Sequence, residues 1–306
     1  MITEELTKLQ AITLTEEARQ KTVDYLTEQF RRFLRPRDKI LICLPEDVGY
    51  HCELVAQAAE QNGAVPVKLG GDYRWKNILK LAFNTRAIAI AAPPLVLLGL
   101  TKLARRSHTP LYFRHFLCVG YASQDWMLDG IRSGLDCMGW GCFDPGGGSA
   151  IAGFSCGKSL GVHIREDAFR VEVEDDDGNV LPEGSFGNII LIPKEAPDFR
   201  YHTMERGRIE TAPCPCGDTS HRITNITPGA EVEEDLWALG AEIVSWSSIL
   251  DCKIERKEYG IELELLVFLG EKLPKLPTCA RQVIRKWNPE TDIPNWFYLD
   301  YRKNGL

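Results

Sequence analysis

Short apolar runs alternate with amphipathic stretches over the first half of the chain. The apolar runs are continuous and short, as strands buried on both faces are, and they lie at 38–44, 64–68, 87–92, 116–119 and 138–143. The amphipathic stretches have apolar residues at helical spacing, and they lie at 15–34, 51–62, 75–83, 95–105 and 125–135. Thr15 is placed to cap the first helix and Gly63 to end the second.

This alternation predicts a parallel sheet with helices on both faces. Ligands of such sheets bind at the carboxyl ends of the strands. Those ends are predicted at 45–47, 70–72, 93–94, 120–122 and 144–148. The last includes Gly146 to Gly148, which could bind an anion through backbone N–H groups or form a plain turn.

The pattern changes near residue 150. Residues 168–174 alternate apolar and polar positions, which indicates a strand with one exposed face. With further strands at 187–192, 208–210 and 221–226, and a turn at 175–179, they predict an antiparallel β subdomain. Beyond Pro228 we expect strands at 252–256 and 261–269, a helix at 277–287 and a last strand at 296–301.

The predicted fold class is therefore α/β: a mostly parallel sheet with helices on both faces, then an antiparallel β subdomain and a small α+β C-terminal cap. The predicted divisions are an N-terminal helical segment at 1–37, the parallel α/β subdomain at 38–148, the antiparallel subdomain at 149–227 and the C-terminal domain at 228–306.

Composition restricts the partners. The chain of 306 residues has a net charge of −7, which argues against a nucleic-acid binder. Its most apolar segment, 87–100, is shorter than the roughly 20 residues that span a bilayer, so we expect a cytoplasmic protein without a membrane partner. One basic cluster, from Arg31 to Lys39, is either a solvated helix end or a patch for a phosphate or a partner.

The ten cysteines are spread along the chain, which favours thiols over a disulfide framework. Cys214 and Cys216 differ from the others because they lie in a Pro/Gly-rich turn, and Cys156 precedes His163 by seven residues. Two pairs of soft ligands would make a closed, structural zinc site.

Other interpretations of these residues stay open. Cys214 and Cys216 could be exposed thiols on a hairpin, and His221 competes with His163 as the fourth ligand. Cys156 and His163 could form a nucleophile pair, although the second cysteine pair favours a metal.

Several motifs together resemble the phenylacetate–CoA ligase and coenzyme F390 synthetase branch of the adenylate-forming, AMP-binding superfamily. They are Gly161-Val162-His163-Ile164-Arg165-Glu166-Asp167, Leu181-Pro182-Glu183-Gly184, Arg200-Tyr201-His202-Thr203 and Cys214-Pro215-Cys216-Gly217. The resemblance is specific over 140–226 and looser over 38–140. It implies that Cys156, His163, Cys214 and Cys216 bind structural Zn²⁺, and that ATP or AMP with Mg²⁺, and CoA, are ligands.

The chain also departs from the family pattern. The Ser/Thr/Gly-rich loop that cradles ATP phosphates has no counterpart here. Phe143-Asp144-Pro145-Gly146-Gly147 stands in place of the motif that carries the family's phosphate-contacting Thr and magnesium-binding Glu, and both of these residues are absent. Glu205 stands where the family has its ribose-binding Asp. Adenylation needs a clamp that offsets charge on the departing pyrophosphate, so these changes put the ligase reaction in doubt.

Two functional hypotheses follow. In the first, the chain is a ligase-like protein that binds a carboxylic acid, nucleotide, acyl-adenylate or acyl-CoA, with Gly120, Tyr121, Tyr201 and Glu205 lining the nucleotide side. In the second, it is a catalytically inactive homologue that serves as a binding or scaffold partner, with a protein partner or as a homodimer.

Overall fold

A computed structural model describes most of the chain. The residues described are 2–44, 50–69, 74–107, 111–120, 123–145, 150–229, 234–268, 270, 272, 273, 275 and 281–288. The predicted strand ends at 45–47 and 70–72, the glycines at 146–148 and the predicted strand at 296–301 lie outside these residues.

The first half has the predicted alternation of strands and helices. Two helices open the chain, α1 (Ile2–Thr13) and α2 (Glu16–Phe30), and the Thr15 side chain accepts from the N–H of Ala18 at the start of α2. The alternating elements are β1 (Lys39–Ile42), α3 (His51–Gln61), β2 (Val65–Lys68), α4 (Trp75–Thr85), β3 (Ala89–Ala92), α5 (Pro94–Ser107), β4 (His115–Cys118), α6 (Asp125–Leu135) and β5 (Met138–Phe143).

Strands β2-β1-β3-β4-β5 pair in parallel, and the inner strands β1, β3 and β4 are buried on both faces, whereas the edge strand β2 is partly exposed. Successive residues of a strand point to opposite faces. Leu41 accordingly joins the apolar cluster on one face, while Ile40 and Ile42 join the cluster on the other. Apolar side chains are needed at every position, which explains the continuous apolar runs.

An antiparallel half continues the same sheet. Its strands are β6 (Gly153–Phe154), β7 (Val162–Ile164), β8 (Phe169–Glu174), β9 (Phe186–Pro193), β10 (Tyr201–Glu210) and β11 (Arg222–Pro228). Because β6 pairs with β5, the two halves form one sheet of eleven strands among the described residues. The fold is therefore the predicted mixed α/β class. A third apolar cluster fills this half, and Leu9 of α1 is buried within it.

The C-terminal part consists of α7 (Glu234–Ser245) and a separate sheet of β12 (Ile249–Lys257), β13 (Gly260–Val267) and β14 (Arg281–Lys286). The predicted helix at 277–287 is wrong over 281–286, which form a strand parallel to β13. Opposite charges pair across the two strands, Arg281 with Glu262 and Arg285 with Glu264. Cross-strand pairing here overrides helix propensity.

The C-terminal part shares an apolar cluster with α4, α5 and α6. Lys102 of α5 is buried in this contact, and its ammonium donates hydrogen bonds to the carbonyls of Val244 and Ile249. Burial lowers the pKa of Lys102 to about 8, although the nearby Asp251 carboxylate opposes the shift. None of the described helices has the length and apolar character needed to cross a bilayer.

The buried lysine makes stability depend on pH. Its folded-state pKa lies below the ordinary 10.5, so the unfolded chain binds more protons between about pH 8 and 10.5 and stability rises with pH there. Over that interval we expect the free energy of unfolding of the wild type to rise by up to about 3 kcal/mol relative to that of a Lys102→Met variant. Denaturant unfolding at a series of pH values measures the difference.

The control is Lys80→Met, which removes the same charge from an exposed position on α4. Its stability relative to the wild type should stay level over the same interval. If the difference in stability between the wild type and Lys102→Met also stays constant over this interval, burial does not lower the pKa of Lys102.

Candidate metal centre and ligand edge

Strand pairing brings the four predicted metal ligands together. His163 lies on β7, opposite Phe154 of β6 and Arg222 of β11. Cys156 follows β6, while Cys214 and Cys216 lie in the connection from β10 to β11. The three sulfurs and one imidazole nitrogen all lie within 4.8 Å of one another.

The distances suit a tetrahedral ion. Cys156 Sγ lies 3.6 Å from Cys214 Sγ, and Cys216 Sγ lies 3.3 Å from His163 Nε2. A zinc ion with Zn–S of about 2.3 Å and Zn–N of about 2.0 Å would separate two sulfurs by about 3.8 Å and a sulfur from a nitrogen by about 3.5 Å. The donor set therefore fits zinc in both chemistry and spacing.

His221 lies outside this cluster. Its Nδ1 atom is 2.5 Å from Glu166 Oε1, and the side chain is half exposed. The alternative in which His221 replaces His163 therefore has no support from the geometry.

Two Cys-Gly pairs direct backbone N–H groups at the sulfurs. The N–H of Lys158 lies 3.4 Å from Cys156 Sγ, and that of Asp218 lies 3.4 Å from Cys216 Sγ. The residue between is glycine in both turns, Gly157 with φ of 71° and Gly217 with φ of 88°, in the left-handed region that favours glycine. These N–H groups stabilise thiolate charge.

Hydroxyl groups complete the surroundings of the ligands. His163 Nδ1 lies 3.2 Å from the Ser220 carbonyl and 3.1 Å from its hydroxyl, which donates to Asp218. A hydrogen bond from Nδ1 leaves Nε2 free to face the sulfurs, as in metal-bound histidines. Ser159 Oγ lies 2.9 Å from Cys214 Sγ. Neither serine belongs to a predicted motif; the repeated Cys-Gly pair was the signal available in the sequence.

Hydrogen bonds and neighbouring thiols shift the pKa values of the cysteines in the cluster. Burial raises the pKa of Cys214, but hydrogen bonds from Ser159 and from the backbone of Cys216 outweigh it and bring that pKa to about 7. Burial, together with the neighbouring thiols, raises the pKa of Cys216 to about 11. Three adjacent thiolates repel one another, so a bound dication would be needed to hold all of them ionised.

The predicted nucleotide residues lie on two elements. Gly120 follows β4 at the carboxyl end of the parallel strands, and Tyr121 lies outside the described residues. Tyr201 and Glu205 are both on β10 and both buried. Tyr201 donates from its hydroxyl to the carbonyl of Pro145, 3.2 Å away. It thereby ties β10 to the chain segment that leaves β5.

The carboxyl ends of the parallel strands form the ligand edge of the sheet, and one pair of residues there was not predicted. His51, the first residue of α3, contacts the carboxylate of Asp144, which directly follows β5. Both side chains are buried, with 7% and 0% of their surfaces exposed. The two residues are far apart in sequence and belong to no common motif, so only the fold reveals the pair.

No family model matches the sequence, and no curated protein matches it. Solved structures do match. A 2-hydroxyisobutyryl-CoA ligase in the postadenylation state, in complex with R3-HIB-AMP, aligns with a TM-score of 0.69 at 13% identity, covering 90% of this chain and 67% of the ligase. The same ligase with 2-HIB-AMP aligns with a TM-score of 0.67 at 13% identity, covering 80% of this chain and 57% of the ligase.

A benzoate CoA ligase from Burkholderia xenovorans aligns with a TM-score of 0.60 at 9% identity, covering 87% of this chain and 62% of that one. An anthranilate CoA ligase in complex with anthranoyl-AMP aligns with a TM-score of 0.57 at 10% identity, covering 93% of this chain and 63% of that one. The chain thus spans about three-fifths of the length of these structures. It has the fold of the adenylate-forming CoA ligases, and the resemblance found in the sequence is confirmed at that level.

Proposed function

We propose that this chain is a phenylacetate–CoA ligase-like protein that binds an adenosine nucleotide, an acyl-adenylate or an acyl-CoA and holds one structural zinc ion. The observation that carries the proposal is the convergence of Cys156, His163, Cys214 and Cys216 at the positions that the family motifs indicate. The fold supports it independently, because several of the matched ligases were solved with acyl-adenylates.

The zinc is structural because its four protein ligands leave no position for water or substrate. The ligands come from two segments, one after β6 and one between β10 and β11. An ion held by both would fasten those segments to each other, and the binding free energy would add to folding.

The purified protein should contain about one zinc per chain. A Cys214→Ser/Cys216→Ser variant should lose the metal and unfold at a lower temperature, because two of the four ligands are gone. Elemental analysis and thermal denaturation measure both effects.

The matched control is Cys137→Ala, which removes a thiol outside the cluster and should keep the full metal content. Zinc near zero in the wild type would refute the site. Full zinc in the double variant would place the metal elsewhere in the chain.

For the ligand edge, we propose that Gly120 and Tyr121 lie along the nucleotide and that Glu205 accepts hydrogen bonds from the ribose hydroxyls. Glu205 is 3% exposed and lies opposite Pro228, where β11 ends. Tyr201 contributes by fixing Pro145 at the end of β5, since its hydroxyl is engaged there.

The alternative, an inactive homologue that acts as a binding or scaffold partner, is favoured by the pair at the end of β5. Gly147 stands where the family has its magnesium-binding Glu, and the carboxylate three residues earlier, Asp144, is buried against His51. A carboxylate in that contact is a poor magnesium ligand, since Mg²⁺ needs a hydrated octahedral site with accessible oxygens. Ligand binding without adenylation is consistent with this arrangement.

We expect AMP to bind the wild type and to bind a Glu205→Gln variant about tenfold more weakly, because a charge-assisted hydrogen bond is lost. Isothermal titration calorimetry measures the affinities. Glu183→Gln, in the exposed turn before β9, is the control and should bind like the wild type. Failure of AMP, ATP and CoA all to bind would refute the nucleotide proposal.

ATP–pyrophosphate exchange with aryl acids then distinguishes the two versions of the function. Exchange above background would establish the ligase chemistry and exclude the inactive homologue. Nucleotide binding with no exchange would support the inactive homologue.

A further inference from the structure

A basic cleft of about 590 Å³ lies at the edge of the parallel strands opposite the ligand edge. Its charged and polar lining comes from Arg31, Arg32, Arg35, Asp38, Arg114 and His115. Strand register explains the convergence. The N–H groups of Arg114 and His115 donate to the Ile88 carbonyl, and the Ile88 N–H donates to the Lys39 carbonyl. The amino ends of β1, β3 and β4 therefore lie together beside the carboxyl end of α2.

Positive charge dominates the cleft although the whole chain is acidic. Four arginines and one aspartate line the cleft, in a chain of net charge −7. Asp38 is already engaged, because one of its oxygens accepts from the backbone N–H of Arg35 at 2.7 Å. A concave surface lined by one sign of charge concentrates ions of the opposite sign.

Not all of these arginines serve the protein's own contacts. Arg31 pairs with Glu28, and Arg32 donates to Gln29 and to the carbonyl of Cys156. Among the described residues, the side chains of Arg35 and Arg114 have no hydrogen bond or ion pair. The buried Nδ1 atom of His115 also has no hydrogen-bond partner there.

The end of α2 does not account for the whole cluster. Cations favour the carboxyl end of a helix within its last turn. Arg31 caps α2 and Arg32 follows it, so both are explained. Arg35 lies beyond that range, and Arg114 comes from the segment before β4.

The floor of the cleft is aromatic and closed. The Phe33 ring stacks on Trp140 with centroids 4.3 Å apart and also contacts His115. Phe33 and Trp140 are each only 8% exposed, so they offer little ring face for a base to stack on. Recognition in this cleft rests on the guanidinium groups, which match phosphate geometry.

We propose that this cleft binds the diphosphate group of a small molecule. The guanidinium groups of Arg35 and Arg114 allow one for each phosphate, and the volume exceeds what a single phosphate requires. The diphosphate could be inorganic pyrophosphate or the one within CoA. The site is separate from the ligand edge, because it lies at the opposite ends of the strands.

Calorimetry on the full chain tests the proposal with pyrophosphate, orthophosphate, CoA and pantetheine, which carries no phosphate. Pyrophosphate should bind more tightly than orthophosphate. An Arg35→Gln/Arg114→Gln variant should bind it at least about tenfold more weakly, because two charge-assisted contacts are lost. The control, Arg170→Gln/Arg281→Gln, removes the same charge from exposed positions on β8 and β14 and should bind like the wild type.

The CoA arm identifies the source of the diphosphate. CoA affinity that falls with the double variant, while pantetheine does not bind, assigns the cleft to CoA; CoA affinity unchanged in the variant assigns it to inorganic pyrophosphate. The proposal is overturned if pyrophosphate does not bind, if orthophosphate binds as tightly, or if the double variant binds like the control. AMP binding that depends on Glu205 is measured separately, so either site can fail alone.

Discussion

The pairing of β7 with β11 is the constraint on which the rest of the structure depends. Among the described strands, the parallel half of the large sheet is joined to the antiparallel half by β5, β6, β7 and β11 in that order. The approach is close: at Gly161, which has φ of 82°, a Cβ atom would lie 2.2 Å from the Ile223 carbonyl oxygen. A side chain there would push the strands apart, so glycine is required both by its backbone angle and by space.

This junction connects the candidate metal centre to the ligand edge. His163 on β7 is opposite Phe154 on β6, and β6 pairs with the end of β5, which Asp144 follows. A second fastening comes from the N-terminal helices, because buried Arg165 donates to Thr22 of α2 at 2.8 Å and lies over the ring of Tyr25. A metal bound by the cluster around β7 would therefore also stabilise the framework of the distant strand ends.

The local elements were predictable because their physical causes are local. Continuous apolar runs indicated strands buried on both faces, and the four metal ligands followed from soft side chains in turns together with the family motifs. The contacts between distant residues were not predictable in this way. Ser159 and Ser220 carry no spacing signal, and His51 meets Asp144 only because α3 begins at the edge where β5 ends. At 281–286 the pairing with β13 determined the structure against local propensity.

The C-terminal part limits how any ligand can be accommodated. Residues such as Trp237, Ile249 and Leu265 belong to the same buried cluster as Trp75 and Leu97 of α4 and α5. Fully exposing one such side chain costs about 1.5–3 kcal/mol, and separation would also break the two carbonyl hydrogen bonds of Lys102. For this chain, a large displacement of α7 and β12 would have to overcome the combined cost of these buried contacts. A ligand at the carboxyl edge of the strands would therefore meet a C-terminal part that these buried contacts hold in place.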